Sequence, residues 1–216
     1  MSIGLELRSL RRRTRDTLRI MLLSVGLAPG LLLAAPRLGD PNFERSVVLL
    51  ARHDEQGALG WVLNGKTLLP VRQLLHDADL VPAGVELPST PAFSHLVRVG
   101  GPVMPGSAWL IYRRHPDIAP FDGEHDLGDD ISATGARQAI EAIARGQGPD
   151  DFRLFLGYAG WGPKQVETEI GAGAWLPTCF EPALLDLAAD VMWEAGYQKA
   201  VGTIPMAFTG ASRGTA

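Results

Sequence analysis

The chain has 216 residues, 46% hydrophobic and 20% charged, a composition suited to one globular domain with a sizeable core. Collagen, coiled coil and wholesale disorder are excluded, and with Cys179 as the one cysteine so is a disulfide scaffold. The net charge of −4 is uneven: residues 1–20 hold six Arg against Glu6 and Asp16, a net +4, so the remainder stands at −8 and would repel nucleic acid or anionic membrane.

Residues 1–26 form a basic extension. Arg8, Arg11, Arg12, Arg13, Arg15 and Arg19 precede the apolar run Ile20–Leu23, and Pro29-Gly30 separates that run from Leu31–Ala35. This superficially matches a secretory signal, but the apolar stretch is split, the basic run is long and no clean small-x-small site follows. The stretch is also shorter than the roughly 18–20 unbroken apolar residues that a transmembrane helix needs. Leu5, Leu18, Met21, Leu22 and Val25 can share one helical face with arginines on the others, which makes a basic amphipathic arm. A disordered extension and a true start at Met21 are the other readings. The expected location is the cytoplasm, with no transmembrane segment.

From Gly30 onward, elements follow in order. Leu31–Ala35 is a short apolar run stopped by Pro36, and Gly39-Asp40-Pro41-Asn42 supplies turn chemistry. Ser46–Arg52 reads as a buried strand, His53–Gly57 as a five-residue loop and Ala58–Leu63 as the returning strand of a hairpin. Pro70–His76 has helical spacing, residues 80–94 read as a Pro-rich loop, and Leu96–Val99 and Trp109–Tyr112 as strands. Residues 115–130 form an acidic, turn-rich stretch. Thr134–Arg145 reads as an amphipathic helix with Ala136, Ile140 and Ile143 inward. Phe152–Leu156 is a strand that enters a glycine-rich turn, Gly157–Gly162, followed by a helix opened by Pro163. Pro182–Ala195 reads as one more helix and residues 201–216 as a loose tail. Hairpins interspersed with helices, without regular alternation, predict an α+β domain.

Several motifs carry potential chemistry. Gly60-Trp61-Val62-Leu63-Asn64-Gly65-Lys66-Thr67 fits a phosphate-binding loop by pattern. Its middle residues, however, prefer an extended strand, and Pro70 falls in what should be the first helical turn. Gly157-Tyr158-Ala159-Gly160-Trp161-Gly162 before a helix could present amides to an anion, with Tyr158 and Trp161 stacking on a planar ring. Glu167 and Glu169 point to different faces of that helix, since a spacing of two does not bring side chains together. His53-Asp54 could act as an acid–base pair, although a turn histidine beside an acid is more often solvated. His115 and His125 lie in the acidic stretch without metal-ligand spacing, and Cys179 has no nucleophile signature around it. No metal and no cofactor is expected, and no helix-turn-helix pattern supports direct DNA binding.

Taken together, these segments resemble the YqgE/AlgH family of bacterial proteins. Leu27 to Val48 is similar to that family's L-x-P-G-x-L-L-x-A-x-P-x-L-x-D-P-x-F-x-R-S-V-V opening, and His53 to Asn64 to its H-D-x-x-G-A-x-G-x-V-x-N hairpin. Gly100-Gly101-Pro102-Val103 matches its G-G-P-V element. Gly157–Gly162 with Gln165, Glu167, Glu169 and Ala174-Trp175-Leu176 resembles its longest motif. One departure is Asn64-Gly65-Lys66 where the family carries Asn-Arg-Pro, and this departure creates the phosphate-loop pattern. The resemblance covers about Leu27 to Ala200. It implies an α+β fold in which a bent, largely antiparallel sheet forms a pseudo-barrel with helices packed outside, residues 27–200 making a single domain. It also turns Leu31–Ala35 into a first strand. The family has no established catalytic activity, and some members are labelled transcriptional regulators on phenotype.

The expectation is therefore a non-enzymatic cytoplasmic binding or regulatory protein acting on a protein partner or small ligand. Its candidate face is built from Asp40, Arg45, His53, Asn64, Gly100, Gly101, Tyr158 and Trp161. The alternative is a small-ligand or nucleotide-binding enzyme using His53, Lys66 or Glu167.

Overall fold

The computed structural model describes residues 26–201. Ten strands form one mixed but largely antiparallel sheet: β1 (Gly30–Ala34), β2 (Val47–Asp54), β3 (Gly57–Val62), β4 (Thr67–Pro70), β5 (Leu96–Val99), β6 (Val103–Arg113), β7 (His125–Gly128), β8 (Ile131–Thr134), β9 (Phe152–Trp161) and β10 (Trp175–Thr178). The main order is β10-β1-β2-β3-β9-β6-β8-β7, and β4 joins through β5, which pairs with β9 in parallel. Among the described residues, five α-helices accompany it: α1 (Val71–Asp77), α2 (Pro91–Ser94), α3 (Arg137–Ala144), α4 (Gln165–Gly171) and α5 (Ala189–Val201), with a 3-10 turn at Pro182–Asp186. This is the bent α+β sheet that the family resemblance implies. It does not close, because β10 and β7 stand at its two ends. The extension before Gly26 and the tail after Val201 lie outside the described residues.

Burial explains the strand compositions. Gly30–Ala34 is buried throughout, so it reads as a uniform apolar run, while β2 is buried for four residues and then alternates from Ala51 to Asp54. A bulge between Leu50 and Arg52 resets the β2–β3 register there, placing Arg52 opposite Leu59 and His53 opposite Ala58. Three packed clusters follow. One sets Trp61, Ile111 and Leu127 against Met192, Trp193 and Tyr197 of α5. A second lies under α1, α2 and α3, and a third under α4 around Val166 and Ile170. Helix α5 is pinned where Trp193 Nε1 and Tyr197 Oη both donate to the Ala34 carbonyl, at 2.9 and 3.1 Å.

Several elements depart from the sequence reading. The hairpin loop shortens to Glu55 and Gln56, because Asp54 pairs with Gly57 and its carboxylate accepts the Gln56 N–H at 2.8 Å. Strand β9 runs on to Trp161 where a glycine turn was expected. Gly157, at φ +70°, bends the strand without ending it, and Ala58–Gly60 supply partners for Ala159–Trp161. The following helix begins at Gln165, after Lys164 in a left-handed conformation. The acidic stretch contributes β7, and Thr134 belongs to β8, so α3 starts only at Arg137 and buries Ala139, Ile140, Ile143 and Ala144. Residues 182–195 split into the 3-10 turn and α5.

Candidate functional site

The eight residues of the expected face fall into three places. Arg45 and Asn64 sit where β2 begins and β3 ends. Asn64 Oδ1 accepts the Val47 N–H at 2.8 Å and its Nδ2 donates to the Arg45 carbonyl at 2.9 Å, which holds Arg45 at φ +51°. The Arg45 guanidinium lies 4.7 Å from the Trp193 ring centroid and 2.5 Å from Glu194, so it ties the β1–β2 connection to α5. Asp40 accepts both the Asn42 backbone and side-chain N–H groups and so shapes the preceding turn.

His53 and Trp161 lie at the far end of the same hairpin, separated from Arg45 by β2, about 23 Å of extended chain. They share a row across β2, β3 and β9, through His53 opposite Ala58 and Ala58 opposite Trp161. The Leu27 N–H approaches His53 Nδ1 at 3.5 Å, which leaves the proton of the neutral ring on Nε2. That nitrogen lies 3.2 Å from Glu167 Oε1, within ion-pair distance, yet it is enclosed and makes no aligned hydrogen bond. Glu169 goes elsewhere. Its Oε2 accepts the indole N–H groups of Trp161 at 3.0 Å and Trp175 at 2.7 Å, and its Oε1 accepts Gln165 Nε2 at 2.8 Å. Gln165 Oε1 in turn accepts the Gly162 N–H at 3.0 Å, and Phe43 packs edge-on to Trp175. Glu169 therefore fastens α4 to β9 and β10, a role that the sequence reading missed; the i, i+2 spacing separated it from Glu167 but did not indicate two indole partners.

Gly100, Gly101 and Tyr158 mark a third place, where the β5–β6 connection crosses β9. Atoms added as Cβ at Gly100 and Gly101 would stand 2.5 Å from the Gly157 carbonyl oxygen and 2.3 Å from the Tyr158 carbonyl carbon, so both glycines serve close backbone approach. Tyr158 is half-buried, edge-on to Trp109, with ring centroids 6.0 Å apart. Trp109 also packs against Trp61 with the rings tilted and their centroids 5.1 Å apart, and the His125 ring lies 6.3 Å from each. Trp109 and His125 were not expected here, because nothing in their spacing shows that β6 and β7 bring them onto Trp61.

Burial, and then the positive charge of Arg52, hold the His125 pKa below its ordinary 6.5. Burial and Arg153 do the same to His95. Folding thus favours the neutral rings: this contribution is complete above about pH 6.5 and is lost as pH falls from there toward the folded-state values. The unfolding midpoint is expected to be lower at pH 5 than at pH 7.5, with His125→Phe flattening part of that fall. A pH profile identical in wild type and variant would count against the assignment to His125.

The phosphate-loop pattern is carried by a strand. Gly60, Trp61 and Val62 lie within β3, Trp61 is fully buried, and Lys66 is exposed just before β4. The next helix opens only at Val71, so no helix N-terminus faces Lys66. Likewise, the amides at Ala159–Trp161 belong to a strand, which removes the expected anion-holding helix start at that position. At the β6–β7 end, a groove of about 460 Å³ opens beside Tyr112, whose hydroxyl donates to Glu124. Burial, and then that bond, push the Tyr112 phenol far above its ordinary range, so it remains a donor. Among the described residues, no group of three or more His, Cys, Asp or Glu side chains could hold a metal, and no helix is long and apolar enough to cross a membrane.

Comparison with known proteins gives a consistent relationship. The AlgH-like family model matches residues 31–205. A UPF0301 protein of Anaeromyxobacter sp. (strain K) is 44% identical over 178 residues, 82% of this chain and 87% of its own length. One from Paracoccus denitrificans is 34% identical, covering 85% of this chain and 94% of its own length. Among solved structures, the AlgH protein from Pseudomonas aeruginosa superposes with a TM-score of 0.64 at 29% identity, over 88% of this chain and 96% of that one. A Corynebacterium diphtheriae protein shares the fold, with a TM-score of 0.61 at 23% identity, over 79% of this chain and 85% of its own. With nearly all of the described domain inside the family model, the chain belongs to the AlgH-like family.

Proposed function

We propose that this chain is a non-enzymatic binding and regulatory protein of the cytoplasm, which recognises a protein partner or small ligand at the His53–Trp161 end of the β2–β3 hairpin. The observation that supports this reading is the His53 Nε2 donor, enclosed beside Glu167 without an aligned acceptor. An enclosed donor without an aligned acceptor costs free energy, which binding that shifts this end of the hairpin and aligns an acceptor would recover. Arg45, Asn64, Gly100 and Gly101 hold the backbone together, so their place in the family-like motifs has a structural explanation, whereas that of His53 invites a recognition role.

The test is native mass spectrometry on protein gently purified from its own cells, alongside His53→Ala and Glu167→Gln. A partner or ligand that survives in wild type and is lost at least tenfold in His53→Ala is the expected result. Equal retention in both variants would overturn the proposal. A second reading, a small-ligand enzyme that uses His53 or Glu167, draws on the same 3.2 Å contact. It predicts that wild type converts the retained molecule into a product while Glu167→Gln does not. A nucleotide-binding version requires Lys66→Ala to lose affinity tenfold or more.

A further inference from the structure

A second cavity lies on the face of the sheet that α5 covers, and none of its lining residues belongs to the His53–Trp161 end. Leu31 and Thr178 are register partners on β1 and β10, so their side chains leave the sheet on the same face, and Leu31 shares a packed cluster with α5. From α5, Ala195, Gly196 and Lys199 reach the same space, since spacings of three and four share one helical face. The 3-10 turn supplies another wall through Ala183 and Leu184. Three of these positions are alanine or glycine, and their short side chains leave a cavity of about 210 Å³.

The walls are aliphatic and the rim is charged. Glu181 and Lys199 both line the cavity, as an ion pair that ties the start of the 3-10 turn to the end of α5. Their side chains are 50% and 66% exposed, so the pair stands on the solvent side. An ion pair this exposed contributes little to stability, and a ligand can part it at small cost. A ligand with only a carboxylate meets Lys199 but presses a like charge on Glu181, and one with only an ammonium does the reverse. A molecule that carries both charges on neighbouring atoms exchanges partner for partner and strands neither side chain. Room for its apolar part is limited. The cavity's 210 Å³ is the share of about seven waters at about 30 Å³ each, below the roughly 300–1,000 Å³ of drug-sized pockets.

We propose that this cavity binds a free aliphatic α-amino acid about the size of leucine. The ligand's side chain lies against Leu31 and Leu184, its ammonium faces Glu181 and its carboxylate faces Lys199. Bound there, it bridges the 3-10 turn and α5 as the ion pair does in its absence.

Cys179 also lines the cavity, is exposed and is the one cysteine of the chain, so its alkylation reports occupancy on the full-length protein. With iodoacetamide and intact mass as the readout, about 10 mM L-leucine should slow alkylation at least about threefold, which corresponds to a Kd of about 5 mM or tighter. Glycine has the same charged head without the side chain; it should leave the rate unchanged, and it controls for reagent lost to the amine. Isocaproate and isoamylamine, which are leucine without its ammonium and without its carboxylate, should each protect less than about 1.5-fold. Glu181→Gln and Lys199→Gln, each compared with its own rate in the absence of leucine, should lose the protection. Both side chains are at least half exposed, and near-ultraviolet circular dichroism checks that the variants are folded. Wild-type alkylation that leucine does not slow overturns the proposal. Full protection retained in both variants overturns it too, as does protection by glycine equal to that by leucine. Isocaproate protecting as well as leucine assigns the cavity to an acyl anion instead. Protection that grows with protein concentration and not with leucine assigns it to a second copy, which also overturns the proposal.

Discussion

Glu169→Ala is expected to lower the unfolding free energy by about 3–5 kcal/mol, although the residue is only two positions from a glutamate whose loss should matter little for stability. Its carboxylate is the acceptor for two indole N–H groups on Trp161 and Trp175, which are 7% and 4% exposed. Removing it strands both donors in a packed region, at about 1–3 kcal/mol each, and releases Gln165, which positions the Gly162 N–H. Glu169→Gln keeps one oxygen acceptor and is expected to cost about 1–2 kcal/mol. Glu167→Gln changes only the contact to His53 and should stay within about 0.5 kcal/mol of wild type. Urea midpoints for the three variants provide the measurement. An alanine variant as stable as the glutamine variant would mean that the indoles find other acceptors and that Glu169 is not what fastens α4 to the sheet.

The contrast between these glutamates shows how far the amino-acid order reaches. A spacing of two on a helix separates Glu167 from Glu169, and the separation is real: one faces His53 and the other two tryptophans. The identity of those partners depends on β10 returning beside β1, a pairing between residues nearly 150 positions apart that leaves no periodic trace. Strand runs buried on both faces, such as Leu31–Ala34 and Val47–Leu50, were legible because their apolar character is continuous. β7 was not, because four residues reading His-Asp-Leu-Gly at a sheet edge bury only Leu127 and otherwise carry turn and charge chemistry. The glycine-rich segment misled for a related reason. Glycine permits turns, but at Gly157 it allows a bend within a strand whose outer half still finds β3. Family-like motifs located residues that matter without revealing their tasks: Asn64 and Arg45 bind the backbone and α5, whereas His53 keeps an enclosed donor at the hairpin's other end.

Gly101→Ala is expected to be among the most disruptive single-methyl changes in the described residues, costing more than about 4 kcal/mol or preventing folding altogether. The backbone there has φ +154°, and the added carbon would lie 2.3 Å from both the carbonyl carbon and oxygen of Tyr158 and 2.4 Å from the Ala159 nitrogen. These are backbone atoms of the central strand, so relief cannot come from a rotamer change. Moving β9 would disturb its pairing with β6 on one edge and β3 on the other, and would disturb Gly157, whose own added Cβ would meet the Gly101 oxygen at 2.5 Å. Gly106→Ala is the matched control, because nothing lies within 4 Å of its added carbon and its φ is not in the left-handed region. It should be neutral or stabilising by up to about 1 kcal/mol, through loss of unfolded-chain freedom. Soluble yield and thermal midpoint, measured side by side, decide the matter. If Gly101→Ala unfolds within about 1 kcal/mol of Gly106→Ala, the crossing is looser than drawn and Gly101 must answer to something other than backbone approach. If it collapses as expected, the family-like Gly-Gly-Pro-Val element is explained by the bend of β9, and the search for a binding face narrows to His53 and its neighbours.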